Sequence, residues 1–138
     1  MWPDQGERFG ALESALEIAR YVPAAVDKAD GAVWLAVQLA EPRDDVTTVV
    51  YHSVVLQYMG EVERDAFNDV MAEAGARATE KAPLARLSFE PGGTGRAHVE
   101  LTIWPGMPRT LVATSGYHGR PVRWLQEAER GGQGPGFY

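Results

Sequence analysis

Cysteine is absent from the 138 residues, which excludes disulfides, thiolate catalysis and cysteine-based zinc sites. Long apolar runs are absent as well. The longest, Ala32 to Val37, is far shorter than the ~20 residues a membrane-spanning helix needs, so no membrane partner is expected. Basic blocks are missing: net charge is −6 and neither sign clusters, which argues against holding a phosphate backbone and so against nucleic acid. The opening residues, MWPDQGERFG, have neither the basic start nor the apolar stretch of a signal peptide, and a cytoplasmic location is expected. There is no internal repeat. The apolar fraction, 45%, is that of an ordinary globular protein, and the length allows one domain with one core. Residues 1–128 are expected to form a single α/β domain, with a glycine-rich disordered tail at 129–138.

Two helices are predicted first. From Glu7 to Val22, the residues Phe9, Leu12, Leu16 and Ala19 share one face. Pro23 interrupts, and a second helix is expected from Ala24 or Asp27 to Ala40, apolar nearly all round and therefore needing cover on several sides. Val46 to Tyr51 is a β-branched run without alternation, the pattern of a strand buried on both faces. A helix from Glu61 to about Glu80 presents Phe67, Val70, Met71, Ala74 and Ala78 on one side. With a further strand at Pro83 to Phe89 these pieces make one βαβ unit. Beyond it, "EPGGTGRA" is a hairpin loop, "HVELTIW" alternates, "PGMP" turns the chain into "RTLVATS", and "PVRWL" suggests a last short strand. The predicted fold is therefore α/β, a partial Rossmann-like sheet in which one βαβ unit is followed by an antiparallel meander, with two N-terminal helices.

Ligands of open α/β sheets bind beyond the carboxyl ends of the parallel strands, where "YHS" at 51 to 53 falls. A ligand pocket bordered by Tyr51, His52, Ser53 and Gln57 is one reading, with His52 as a contact or an acid–base group. The other makes Ser53 a helix N-cap and His52 a packed side chain bonded to nearby backbone, and it is preferred. No second acid, base or nucleophile is placed beside His52 by the sequence, so no catalytic residue is assigned. "GGTG" lacks the following helix that a phosphate cradle requires. His98 and His118 share no ligand spacing with His52, and no metal site is expected.

The segment "VTTVVYHSVVLQYM" at 46 to 59 resembles the fourth strand and following turn of class I S-adenosylmethionine-dependent methyltransferases. More of the chain resembles the C-terminal part of a bacterial domain of unknown function, DUF2332. The matching pieces are Trp2-Pro3-Asp4-Gln5 with Arg8, His52-Ser53-Val54 with Gln57-Tyr58, "AEAGARA" at 72 to 78, Pro83-Leu84, Leu101 to Pro105 and "GRPVRWL" at 119 to 125. That resemblance implies an upstream glycine-containing strand-turn-helix like the methyltransferase cofactor loop, to which nothing in residues 1–138 corresponds. It therefore implies a methyltransferase-like half-domain without independent catalysis. No cofactor is expected on this chain, and S-adenosylmethionine only if an N-terminal half completes the site. The competing implication is an interaction module, a homo-oligomer or a partner of a separately encoded N-terminal half, with Trp34 and Trp2 as anchors. Whether the chain is an enzyme is left open by its residues.

Overall fold

The computed structural model describes residues 6–93 and 95–126. The expected disordered tail at 129–138 and the proposed anchor Trp2 lie outside the described residues. The elements are α1 (Gly6–Tyr21), α2 (Gly31–Gln38), β1 (Thr48–Ser53), α3 (Glu61–Arg77), β2 (Leu84–Pro91), β3 (Ala97–Trp104), β4 (Met107–Ser115) and β5 (Val122–Trp124). The five strands form one sheet in sequential order, β1-β2-β3-β4-β5. The β1–β2 pair is parallel, as its crossover through α3 requires, and every later pair is antiparallel. The architecture is the predicted mixed α/β sheet, a βαβ unit followed by a meander.

Each expected element forms, with shifted ends. Asp30 starts α2 later than the apolar pattern suggests, because its carboxylate accepts from the Val33 N–H at 3.0 Å and caps the helix there. Asp27, in the preceding turn, accepts from the Trp34 indole N–H at 2.7 Å. At the head of α3 the Glu63 carboxylate reaches back to the Gly60 N–H at 2.9 Å, satisfying one otherwise unpaired donor.

The core lies on one face of the sheet. Leu35 of α2 and Leu39, which caps its end, meet Phe67, Met71 and Ala74 of α3 and Leu84 of β2, with Val50 and Trp104 packed against them. The spacing of the three α3 residues is the helical one read from sequence. Gly75 lets α3 approach β3 closely, since a Cβ there would stand 2.7 Å from the Trp104 ring. At the other end of α2, Arg77 of α3 donates to the Leu39 carbonyl at 3.0 Å, tying the helices together.

One sequence expectation about burial is corrected. The β1 strand is not buried on both faces. It is an edge strand, covered on the α3 side at Val50 and His52 but open on the other, where Val49 is 55% and Tyr51 76% exposed. A β-branched run fits any strand and carries no record of how many layers cover it. Along α1, Phe9, Leu12 and Leu16 are exposed, and the helix buries none of its residues. On α2, too, only part of the apolar surface is covered, with Val33 and Val37 exposed and Trp34 partly so.

Candidate functional site

Side chains on a strand alternate between faces, so the register of the sheet decides which polar residues meet. His52 pairs with Ser88, Ser88 with Glu100, and Arg86 with Thr102, all on the face that carries α3. The hydrophobic core fills that face only at the Leu84–Trp104 end. Toward the carboxyl ends of β1 and β2 the same face turns polar and opens into a cleft of about 500 Å³ between the sheet and the first half of α3. Its walls include Gln57, Arg64, Asn68, Arg86, Glu90 and Arg109.

At the floor of this cleft, β1 ends in a sharp turn. Val54 adopts φ +51°, a left-handed conformation that a β-branched residue takes only under strain. The turn aims the next two amides at one carboxylate. Glu90 Oε1 accepts from the Val55 N–H at 3.2 Å and the Leu56 N–H at 3.5 Å, and lies 2.7 Å from His52 Nδ1. On the far side of the imidazole, Arg86 donates through Nε to His52 Nε2 at 3.1 Å. That bond sets the tautomer: Nε2 must be the acceptor, so Nδ1 carries the proton and donates it to Glu90.

His52 is therefore a neutral linker between an acid and a base. Burial pushes its pKa below the ordinary imidazole value, the Glu90 hydrogen bond offsets part of that, and the Arg86 charge pushes the same way as burial. Its side chain is 8% exposed and meets the Phe67 ring edge-on at a centroid distance of 5.5 Å. With both ring nitrogens engaged, the imidazole is not a free general base. What the arrangement can do is hold Glu90 and Arg86 in fixed positions at the edge of the cleft.

Arg86 is held on three sides by uncharged groups. Besides His52 it donates from Nη1 to the Asn68 side-chain oxygen at 2.9 Å, and its guanidinium lies 5.0 Å over the Phe67 ring. Burial lowers its pKa most, and the Arg109 charge adds to that. Arg109 itself is neutralised by Glu100, with contacts of 2.9 and 2.7 Å. No cluster of three or more metal-ligating side chains occurs among the described residues.

The four residues singled out from sequence separate. Gln57, in the 3-10 turn Leu56–Tyr58, lines the cleft, and His52 lies beneath it. Tyr51 points from the opposite face, as alternation along β1 demands, and Ser53 shares that outward parity at the strand end. Ser53 is not a helix N-cap. It ends β1, and the 3-10 turn starts only after Val55. Nor does His52 bond to backbone, since its partners are the side chains of Glu90 and Arg86. The residues that sequence reasoning missed, Arg86, Glu90, Asn68, Glu100, Arg109 and Arg64, come from four different segments. Arg86 and Glu90 carry a weak signal: they fall two and six residues after Leu84, on the same face of the strand.

The sequence model of a bacterial family, described as an uncharacterized protein conserved in bacteria (DUF2332), matches residues 1–124. The chain belongs to the DUF2332 family. Comparison with the curated proteins and with the solved structures finds no match. The family match covers every element of the sheet and every residue of the cleft. No helix among the described residues is long and apolar enough to cross a membrane.

Proposed function

We propose that this DUF2332 chain is a small-molecule-binding module, the part of an α/β fold that forms one wall and the floor of a ligand cleft, without a catalytic dyad of its own. The observation that carries this reading is the buried Glu90–His52–Arg86 chain beneath a cleft at the carboxyl ends of the parallel strands. A network of two charged groups, a strained turn at Val54 and a polar cavity are costly to keep in a fold this small unless something uses them. Because His52 has no free nitrogen, the reading is recognition rather than proton transfer. The test is amide chemical-shift mapping of the whole chain against a panel of neutral, cationic and anionic small molecules. Saturable shifts centred on Gln57, Asn68 and Ser88 are expected. A panel that leaves these amides unmoved removes the proposal.

A second reading rests on β1. Its outer edge pairs with no strand among the described residues, and Val49 and Tyr51 of β1 and Val33 and Val37 of α2 are exposed. Unpaired edges recruit partners. A methyltransferase-like sheet completed across this edge, by a second copy or by a separately encoded N-terminal half, accounts for those groups, with Trp34 (40% exposed) as an anchor. On that reading the chain alone does not bind S-adenosylmethionine, whose site needs the absent glycine turn. Light scattering over a dilution series, with calorimetry against S-adenosylmethionine, tests it. A monomer mass at every concentration disfavours self-association, and micromolar binding of the cofactor by this chain contradicts the half-site.

A further inference from the structure

The cleft holds a guanidinium that no carboxylate touches directly. Glu100 is taken by Arg109. Glu90 Oε1 is taken by His52 and two backbone amides. Arg86, by contrast, donates only to the neutral acceptors of His52 and Asn68 and lies over the face of Phe67, with the Glu90 and Glu100 charges acting on it from beyond hydrogen-bond distance. A half-buried guanidinium with no carboxylate in direct contact is unusual, because buried charges are normally paired. The second oxygen of Glu90, Oε2, is buried without any hydrogen-bond partner. Arg64 of α3 also borders the cleft, half-buried, adding positive charge to the same wall.

We propose that the cleft takes a small oxyanion, a carboxylate or phosphate. Arg86 and Arg64 hold the anion. A guanidinium whose Nε and Nη1 are already anchored presents its remaining N–H groups in a fixed fork, the geometry that matches two oxygens of one oxyanion. About 500 Å³ suits a metabolite-sized molecule rather than a polymer chain. The acidic chain as a whole repels polyanions, which further favours a small ligand. This inference rests on the reading of the cleft as a ligand site and names the ligand class.

The probes are sodium phosphate, acetate, glycolate and, as neutral control, glycerol, each titrated at constant ionic strength into the full chain and followed by amide chemical shifts. Saturable shifts at Asn68, Gln57 and Ser88 are expected with the oxyanions and not with glycerol. Phosphate outranking the carboxylates points to a phosphorylated ligand, and the reverse to a carboxylic acid. Both support the site. Arg64→Gln should weaken binding about tenfold with the fold unchanged, since that side chain lies half-buried at the surface of α3. Arg86→Gln should abolish binding, with Arg86→Lys retaining the charge but losing most of the affinity. Oxyanions that shift these amides no more than chloride does, while glycerol or a cation binds, overturn the ligand class and leave the cleft standing. Silence from every probe removes both proposals. Oxyanion binding unchanged in Arg64→Gln and in Arg86→Lys also overturns the assignment.

Discussion

Replacing His52 by alanine is the sharpest probe of the buried chain. The imidazole makes two hydrogen bonds, each to a charged group: 2.7 Å to Glu90 and 3.1 Å from Arg86. Bonds to charged partners contribute about 1.5–3 kcal/mol each, and leaving a buried charge without its partner costs toward the upper end of that range. The edge-on contact with Phe67 at 5.5 Å adds about 0.5–1.5 kcal/mol. Two effects reduce the sum. Glu90 keeps the Val55 and Leu56 amides, at 3.2 and 3.5 Å, and the adjoining cleft lets water replace part of what is lost. The expected loss is about 2–4 kcal/mol, large against the stability of ~5–15 kcal/mol typical of a domain. Urea unfolding followed by tryptophan fluorescence measures it. His52→Asn can still donate toward Glu90 and His52→Gln can still accept from Arg86, so each should lose about half as much. A double-mutant cycle with Glu90→Gln should show a coupling of at least about 1 kcal/mol. If His52→Ala unfolds within about 0.5 kcal/mol of the parent, the two bonds carry no stability and the chain of three residues is not a unit.

Stability should also depend on pH through the same residue. Because burial lowers the folded-state pKa of His52, the unfolded chain takes up a proton near pH 6.5 that the folded chain refuses. Stability from this group is complete above that pH and declines as pH falls below it, with a ceiling of about 1.4 kcal/mol per pH unit. Urea midpoints at a series of pH values should fall toward acid in the parent and less steeply in His52→Gln, and equal slopes would show that His52 is not the group responsible. At Gly75, alanine gains about 1 kcal/mol of helix propensity, yet its Cβ would stand 2.7–2.8 Å from three atoms of the Trp104 ring. Overpacking of about 1–3 kcal/mol outweighs the gain, so Gly75→Ala should lower the melting temperature, and Gly75→Ala with Trp104→Leu should recover part of it. A rise in melting temperature for the single variant would mean that the indole simply moves aside.

Local patterns determined the elements and their order. The period of Phe67, Met71 and Ala74 marks a helix and its buried side, and the alternation of "HVELTIW" marks β3. The crossover length between β1 and β2 requires a parallel pair, whereas the glycine loop at 92 to 96 and the turn before Met107 require antiparallel ones. All of these are properties of neighbours along the chain. How many layers cover β1 is not such a property, and neither is the side of the sheet left bare. "VTTVVY" has the same composition whether its outer face meets a helix or water. The cleft was still less legible. His52 was visible as a titratable group at a strand end, but its partners lie 34 and 38 residues away, and only the parallel register of β1 on β2 brings them to it. The strained turn at Val54, which faces two amides toward Glu90, has no glycine to announce it. The pairing of Arg64 and Arg86 on one cleft wall is hidden in a chain of net charge −6, because the two sit on separate elements. Sequence records the charge of each residue; which charges touch, and that Arg86 touches His52 and Asn68 instead of a carboxylate, is decided by distances that exist only once the sheet has formed.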